Sequence, residues 1–488
     1  MFVILLLNLI HFVYCDVREE ESWIVSELID AVKEAPTYHV FFEVLLVAVV
    51  IKLWFSNSYR IERQELTEQE EDQLISEWQP EPLVPDEVST RSKLYRTVNG
   101  PIKKYISVDG NSCLDLASFN FLGLNCDERI EESAIRSLRK YGVGSCGPRG
   151  FYGTIDVHLH LEQRIAEFMR VEEAILYSFG FAAPASCVAP YSKRGDVIFA
   201  DEAVSFALQQ AIVASRSKVR YFKHNDMDDL ERLLKKQALD DQKNPKKAKV
   251  TRRLILVEGL YLNTGDICPL EKLIELKYAY KVRIFLDESY SIGVLGETGR
   301  GITEFLGLDI LDIDLIIGSL ENSLGSIGGF TCGSAYVVDH QRLSAVGYCY
   351  SASLPPLLAS SAIESVNIIQ SELDMLERLH HNSGVLHREL SKIDKVCVDS
   401  CSYSPIQHIR INDITNTREQ SERLLNSICD QMLGEGVALT MAQCIEEYET
   451  FQRTHSLRLT AKANMTEDEI VKAIAKLRCV VNEILSKR

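Results

Sequence analysis

The sequence predicts an α/β protein with a mostly parallel central sheet, a smaller C-terminal α+β domain and an N-terminal membrane helix. Three observations lead to this prediction. Short apolar runs alternate with stretches of helical spacing, as in a sheet covered by helices on both faces. After about Ser371 the pattern changes to longer amphipathic segments. One apolar segment near the N-terminus is long enough to reach across a bilayer.

Composition excludes some classes of function. The 488 residues have a formal net charge of −17, with 46% hydrophobic and 25% charged residues. An acidic chain without a basic stripe argues against nucleic-acid binding. The thirteen cysteines form neither a CxxC pair nor a Cys/His metal spacing. They indicate reduced thiols in the cytosol, and no metal site is predicted.

Residues 1–37 are interpreted as an N-terminal extension followed by an amphipathic helix. The apolar stretch Met1–Cys15 has no Lys or Arg, so it is either a weak signal-like segment or an extension, and its cleavage stays open. Ser22–Ala35 has helical amphipathic spacing and ends before Pro36. This helix would lie in the membrane interface or dock on protein.

Residues 38–55 are predicted to form a transmembrane helix. The segment includes eight uninterrupted apolar residues, Val44–Ile51. Eighteen helical residues span roughly 27 Å, close to the thickness of the hydrocarbon core. A buried core helix is the alternative, but charged sequence follows instead of packing partners. Lys52, Arg60 and Arg63 then predict that the rest of the chain is cytosolic.

Residues 56–89 are predicted to be a linker, with a capping box at Thr67 and Glu70 before a proline-rich stretch. A large domain at 90–372 and a small α+β domain at 373–488 follow. Helices are expected between the large domain's strands, for example at Met227–Lys236 and Pro269–Tyr280, and Thr466 and Glu469 cap a terminal helix. The predicted strands of the large domain are Ala174–Tyr177, Asp196–Ala200, Val219–Phe222, Leu254–Val257, Arg283–Leu286 and Leu315–Ile317. Those of the small domain are Ile406–Ile411 and Ser456–Leu459.

Asp287 ends a buried strand, where open α/β sheets bind ligands. In pyridoxal-phosphate enzymes such a carboxylate pairs with the ring nitrogen of the cofactor. A helix N-cap is the equally weighted alternative. Some thirty residues later, the loop Gly318–Phe330 has the spacing of the lysine loop in these enzymes, but Asn322 stands at the lysine position. An amide cannot form the covalent aldimine, and no lysine occurs from Val282 to Leu390.

Two glycine-containing turns are further candidates. Gly180 follows an apolar strand, where backbone N–H groups could bind a phosphate, although a plain strand–helix connection has the same pattern. Tyr141–Thr154 has five glycines within twelve residues, interleaved with Cys146, Arg149 and Tyr152. A flexible linker is the alternative, but these side chains favour a shaped loop at a site.

Together these motifs resemble the α-oxoamine synthase family of fold-type I pyridoxal-phosphate enzymes, over nearly the whole chain. Within that family the chain is similar to lysine-free subunits that pair with a lysine-bearing subunit 2. The resemblance rests on the Asn322 loop and on the strings Glu77–Pro85, Ser118–Gly123, Tyr141–Thr154, Lys223–Met227, Val257–Tyr261 and Ser351–Pro356.

The resemblance implies a heterodimer at the endoplasmic reticulum membrane, with its catalytic domain facing the cytosol. The complex would condense L-serine with palmitoyl-CoA to 3-ketodihydrosphingosine, CO2 and CoA. Pyridoxal 5′-phosphate would be covalently bound to the lysine of subunit 2. A small activating subunit and ORM-type regulators are further expected partners.

The resemblance also implies a vestigial cofactor pocket in this chain. Ser205 stands where catalytic relatives have the histidine that stacks on the cofactor ring, and Tyr290 replaces a second histidine. Asp287 is retained, which leaves a non-covalently held cofactor open. The expected vestigial pocket consists of Gly180, Ser205, Asp287, Tyr290 and Asn322.

Because active sites of this family lie at the dimer interface, other residues are expected to complete the partner's site. These are Cys146, Gly147, Arg149, Tyr152, Ser351 and Ser353. Arg458 resembles the arginine that holds the substrate carboxylate, with a structural ion pair as the equal alternative. The leading hypothesis is a subunit that completes the partner's site and anchors the complex. Its alternatives are a structural or regulatory scaffold, and a self-sufficient enzyme that uses a distant lysine.

Overall fold

A computed structural model describes residues 36–55, 67–83, 96–411, 418–443, 449–451 and 455–486. The chain divides into two compact units, Met1–Lys93 and Leu94–Arg488. Met1–Cys15, the predicted helix Ser22–Ala35 and much of the predicted linker lie outside the described residues.

The first unit contains two described helices, α1 (Thr37–Phe55) and α2 (Glu68–Glu77). The most apolar window of α1 has a mean hydropathy of 1.9, and none of that window is buried. By length and composition α1 is long and apolar enough to cross a membrane. The capping box of α2 is confirmed, because Thr67 N–H donates to Glu70 Oε2 at 2.9 Å and Glu70 N–H donates to Thr67 Oγ1 at 3.4 Å.

The second unit alternates strands and helices along most of its length. Its strands are β1 (Tyr105–Val108), β2 (Asn111–Asp115), β3 (Glu173–Tyr177), β4 (Val197–Asp201), β5 (Lys218–Phe222), β6 (Arg253–Glu258), β7 (Arg283–Asp287), β8 (Leu315–Ser319), β9 (Gly329–Gly333), β10 (Val396–Val398), β11 (Ile406–Ile411), β12 (Val437–Ala438), β13 (Thr440–Met441) and β14 (Leu457–Thr460). Its α-helices are α3 (Glu128–Tyr141), α4 (Asp156–Met169), α5 (Ala182–Cys187), α6 (Phe206–Ser215), α7 (Met227–Lys243), α8 (Pro245–Ala248), α9 (Leu270–Tyr280), α10 (Ile302–Phe305), α11 (Ala335–Ser344), α12 (Val346–Cys349), α13 (Pro356–Ser371), α14 (Asp374–Leu390), α15 (Arg418–Gly434) and α16 (Glu467–Ser486).

The central sheet has seven strands in the order β3-β9-β8-β7-β6-β4-β5. Strands β4 to β8 pair in parallel, as the sequence predicts, and β9 runs antiparallel to both β3 and β8. All six strands predicted for this sheet are confirmed, but β9 is missed. It begins and ends in glycine within a segment interpreted as a Gly-rich turn, so its composition disfavours a strand although every residue is buried.

The C-terminal part forms a second hydrophobic core around the antiparallel sheet β10-β11-β14-β13. The predicted strands β11 and β14 are confirmed, and Thr466 caps α16 by accepting from Glu469 N–H at 3.3 Å. Leu114 and Leu116, far earlier in the chain, also belong to this core. The division into domains at 372/373 therefore stays a prediction.

A fully buried ion pair ties β2 to the segment after β14. Lys462 Nζ contacts Asp115 Oδ2, and neither side chain is exposed. Lys462 Nζ also donates to Ser118 Oγ at 2.9 Å, while Asp115 Oδ1 accepts from the backbone N–H groups of Ala117 and Ser118 at 3.0 Å. Because each charge is desolvated, each needs the other for its stability in the interior.

Lys462→Met should lower the free energy of unfolding by about 3–5 kcal/mol, because it leaves the Asp115 carboxylate buried without its cation. The matched control is Lys472→Met, which removes an exposed pair with Asp468 and should cost at most about 1 kcal/mol. Urea unfolding followed by far-UV circular dichroism measures both, since the three tryptophans all lie in the first unit. Equal losses in the two variants would contradict the role of the buried pair.

Candidate active site

Two acids face each other at the carboxyl ends of neighbouring strands. Asp287 ends β7, Glu258 ends β6, and the two residues are paired in the sheet register. Asp287 Oδ1 accepts from Ser289 N–H at 2.9 Å, and Glu258 accepts from the N–H groups of Ser205 and Leu262. Burial raises the pKa of both carboxyls, and the charge of Asp287 raises that of Glu258 further. The sheet edge thus carries a buried acidic pair.

Asn322 ties the loop after β8 to this edge. Its side-chain Nδ2 donates to the backbone oxygen of Ser289 at 2.9 Å, and its backbone oxygen accepts from Phe121 N–H at 3.2 Å. The amide is therefore used as a structural donor between two loops. It offers no amine at the position where the sequence pattern expects a lysine.

Gly180 and Glu321 contact each other directly. Gly180 N–H donates to Glu321 Oε1 at 3.0 Å, and a Cβ at position 180 would lie 2.8 Å from that oxygen. The backbone donor predicted to bind a phosphate is thus occupied by a carboxylate of the same chain. Glu321 was not singled out from the sequence, although it immediately precedes Asn322.

Tyr290 and Arg458 both contact the ring of Phe119. The Tyr290 ring meets the Phe119 ring edge-on with centroids 5.3 Å apart, and the Arg458 guanidinium lies 4.1 Å from the same ring. Arg458 also donates to the backbone oxygen of Ala117 at 3.3 Å. Stacking on an aromatic ring and a carbonyl contact suit a structural role as well as a ligand-binding one.

The structure brings the five predicted pocket residues to one sheet edge. Ser205 connects to Asp287 through Glu258, and Asn322 connects to the Asp287 loop through Ser289. Their use as a cofactor pocket stays a prediction. The missed residue Glu258 has the same signal as Asp287, an acid at the end of a buried strand, and could have been found from the sequence.

The glycine-rich loop is braced against a second predicted segment. Gly147 O accepts from Ser353 N–H at 2.9 Å and from Ser353 Oγ at 3.1 Å, and Ser145 Oγ donates to Ser353 O at 3.0 Å. A Cβ at Gly153 would lie 1.9 Å from the Gly147 oxygen, so only glycine fits there. The two segments, some 200 residues apart in sequence, thus form one surface.

The side chains of this loop point in different directions. Cys146 and Tyr152 are exposed and adopt left-handed backbone conformations, with φ of 58° and 65°. Arg149 is buried, where its guanidinium pairs with both oxygens of Glu162 at 2.8 and 3.0 Å. Glu162 also accepts from Leu176 N–H, which fixes the loop to the strand β3. Arg149 therefore holds the loop's shape, while Cys146 and Tyr152 are available at its surface.

The serines of the second segment also differ. Ser353 is buried and donates its hydroxyl to Gly147, whereas Ser351 is half-buried and has only a long contact, 3.4 Å, to Ala352 O. Ser178 Oγ, at the end of β3, donates to the same Ala352 oxygen. Of the two serines, Ser351 is the one whose hydroxyl is less engaged within the chain.

His224, in a string that carries the family resemblance, lies between two acids. Its Nδ1 is 3.0 Å from Asp201 Oδ1 and its Nε2 is 3.4 Å from Asp266 Oδ2, and its ring packs edge-on against Tyr261. Burial opposes the charged form, but the hydrogen bonds and charges of Asp201 and Asp266 outweigh it and raise the pKa of His224 to about 9. His224 is thus a charged, structural histidine at neutral pH.

The chain is similar in sequence and in fold to known proteins. Residues 111–477 match the family model "Aminotransferase class I and II". A serine palmitoyltransferase from S. paucimobilis, solved with a bound PLP–myriocin aldimine, superposes with a TM-score of 0.72 over 82% of this chain and 95% of that one, at 22% identity. An 8-amino-7-oxononanoate synthase from Francisella tularensis gives a TM-score of 0.62. The fold is that of the class I and II aminotransferases.

Sequence identity to known proteins identifies the family within this fold class. The chain is 40% identical to long chain base biosynthesis protein 1b of Oryza sativa subsp. japonica, over 92% of both chains. It is 39% identical to serine palmitoyltransferase 1 of Dictyostelium discoideum, over 92% of this chain and 94% of that one, and 35% identical to serine palmitoyltransferase 1 of Saccharomyces cerevisiae, over 86% and 84%. The chain belongs to the family of serine palmitoyltransferase 1 and long chain base biosynthesis protein 1.

The charge on His224 predicts a pH-dependent stability. Since its folded pKa of about 9 lies above the unfolded value, its contribution is fully present below pH 6.5 and is lost as the pH rises through 9. His224→Gln should therefore cost more at pH 6 than at pH 9.5, by about 3 kcal/mol. Urea unfolding of both proteins at the two pH values measures the difference, and a pH-independent gap would refute the assignment.

Proposed function

We propose that this chain is the lysine-free subunit of a serine palmitoyltransferase. The complex condenses L-serine with palmitoyl-CoA to 3-ketodihydrosphingosine, CO2 and CoA, the first step of sphingolipid synthesis. The observation that carries the proposal is Asn322 at the lysine position of a chain that is 35–40% identical to serine palmitoyltransferase 1 and long chain base biosynthesis protein 1. The catalytic lysine then belongs to the partner, subunit 2.

This chain's own pocket does not fit covalently bound pyridoxal phosphate. The Asn322 amide is not basic and is already hydrogen-bonded to Ser289 O. On the partner's lysine, the cofactor supplies the electron sink that the condensation and decarboxylation require. The chemical role of this chain is therefore to shape the partner's site.

The braced loop supports that role. Cys146 and Tyr152 project from it into solvent, while Gly147, Arg149 and Ser353 hold its conformation from within the chain. We assign contact with the partner's pocket to Cys146 and Tyr152, and contact with its cofactor phosphate to Ser351. Arg149, Gly147 and Ser353 act as positioning residues, because their polar groups are engaged inside this chain.

The helix α1 supports a second role, anchoring of the complex. It is long and apolar enough to cross a membrane, and Lys52 lies in its last turn. Together with Arg60 and Arg63, this charge favours a cytosolic location for the rest of the chain, at the endoplasmic reticulum membrane. A small activating subunit and ORM-type regulators are the further membrane partners in this proposal.

The loop's shape should matter for activity more than for assembly. Gly153→Ala places a methyl group 1.9 Å from the Gly147 oxygen and must displace the loop. We expect it to lower the activity of the reconstituted pair roughly 10- to 100-fold. Gly150→Ala, which meets open space, is the matched control and should keep activity. Cys146→Ser tests the exposed thiol in the same assay.

Copurification with the partner accompanies each activity measurement. If activity fell only in proportion to lost assembly, the chain would be a structural or regulatory scaffold and the proposed completion of the site would be wrong.

The cofactor should be attached only to the subunit that carries the catalytic lysine. Borohydride reduction of the purified pair, followed by the intact mass of each separated chain, should show one pyridoxyl group on subunit 2 and none on this chain. An adduct on this chain would mean that a distant lysine binds the cofactor and would support a self-sufficient enzyme.

A further inference from the structure

The carboxylate of Glu321 lies where the turn after β3 offers its backbone donor. Gly180 N–H, 141 residues away in sequence, donates to Glu321 Oε1 at 3.0 Å. A typical N–H···O bond has its acceptor at about 2.9 Å, so this oxygen holds the position that a phosphate oxygen would need. We propose that Glu321 replaces a cofactor phosphate in this chain and keeps pyridoxal phosphate out of its pocket even without a covalent bond.

The sheet register makes this contact possible. Gly329, the first residue of β9, pairs with Tyr177 at the end of β3 and with Ser319 at the end of β8. The turn that contains Gly180 and the loop that contains Glu321 therefore emerge side by side at one edge of the sheet. The backbone of Glu321 is also held, because its N–H donates to Ser319 Oγ at 3.1 Å.

The carboxylate also occupies the space directly beside this donor. A Cβ at Gly180 would lie 2.8 Å from both carboxylate oxygens and from the carboxyl carbon of Glu321. On the other side of the turn, a Cβ at Gly329 would lie 3.3 Å from Gly180 Cα and 2.7 Å from Ala183 Cβ. A phosphate could reach the Gly180 donor only after the carboxylate had left it.

Electrostatic repulsion, like the occupied space, disfavours a phosphate at the Gly180 donor. A phosphate monoester carries about −1.5 to −2 charges at neutral pH, so it is repelled by a carboxylate at the same donor. Asn322 removes the covalent attachment, and its neighbour Glu321 removes the phosphate site. The two adjacent residues thus close the pocket by different means.

This inference rests on the proposed function, since it concerns the pocket that the lysine-free subunit would have given up. It predicts that restoring the lysine is insufficient. In the pair with subunit 2, Asn322→Lys alone should carry no reducible pyridoxyl group on this chain. The double variant Glu321→Thr/Asn322→Lys should carry one pyridoxyl group on this chain. The control Glu297→Thr/Asn322→Lys removes a different exposed carboxylate and should carry no pyridoxyl group.

Each variant is incubated with pyridoxal phosphate, reduced with borohydride and separated into its chains for intact mass. An adduct on Asn322→Lys alone would overturn the proposal. The absence of an adduct on the double variant, when it copurifies with subunit 2, would overturn it as well. The partner's own adduct in the wild-type pair reports on the proposed function separately, so the two ideas fail in distinguishable ways.

A second measurement does not depend on a new lysine. Pyridoxamine 5′-phosphate cannot form the aldimine, so its binding to the pair by equilibrium dialysis counts non-covalent sites. Glu321→Ser should gain one site per pair over the wild type, and pyridoxamine without the phosphate should gain none. An unchanged number of sites would refute the exclusion by Glu321, and a gain for the unphosphorylated compound would show that the phosphate is not what Glu321 replaces.

Discussion

Parallel pairing of β4, β6, β7 and β8 is the constraint on which the candidate site depends. Parallel strands end at the same edge of a sheet, so Glu258 and Asp287 come to lie opposite each other. The antiparallel strand β9 then aligns the ends of β3 and β8, which brings Gly180 to Glu321. The contacts that link the predicted pocket residues follow from this one register.

The carboxyl edge of the central sheet holds a group of buried acids. Glu258, Asp287 and Glu288 are buried, and burial raises the pKa of each. Such groups are costly in an interior unless hydrogen bonds hold them, and here backbone N–H groups, such as that of Ser289 to Asp287, serve that purpose. Hydrogen bonds within the chain therefore satisfy these buried acids.

In the glycine-rich loop, buried contacts support residues that are exposed at the surface. The buried pair of Arg149 and Glu162 stabilises one side of the loop, and Ser353 holds the carbonyl of Gly147 on the other. Each member of this pair depends on the other, because either charge alone would be left uncompensated in the interior. The outcome is a rigid loop that presents Cys146 and Tyr152. The exposed face of this loop is thus supported by hydrogen bonds from within the chain.

The sequence by itself determined the features that depend on local patterns. Apolar runs of strand length predicted six strands of the central sheet, the Thr67 and Thr466 caps followed from short-range spacing, and Asn322 was visible from its distance to Asp287. Only the tertiary structure decided that β9 is a strand. With a glycine at each end, its sequence has no hydrophobic pattern that would predict a buried strand. It also decided that Arg149 points inward to Glu162 and that Glu321 reaches Gly180. The Glu321 contact joins residues 141 apart in the chain, so it depends on strand order and register, which local periodicity and spacing do not encode.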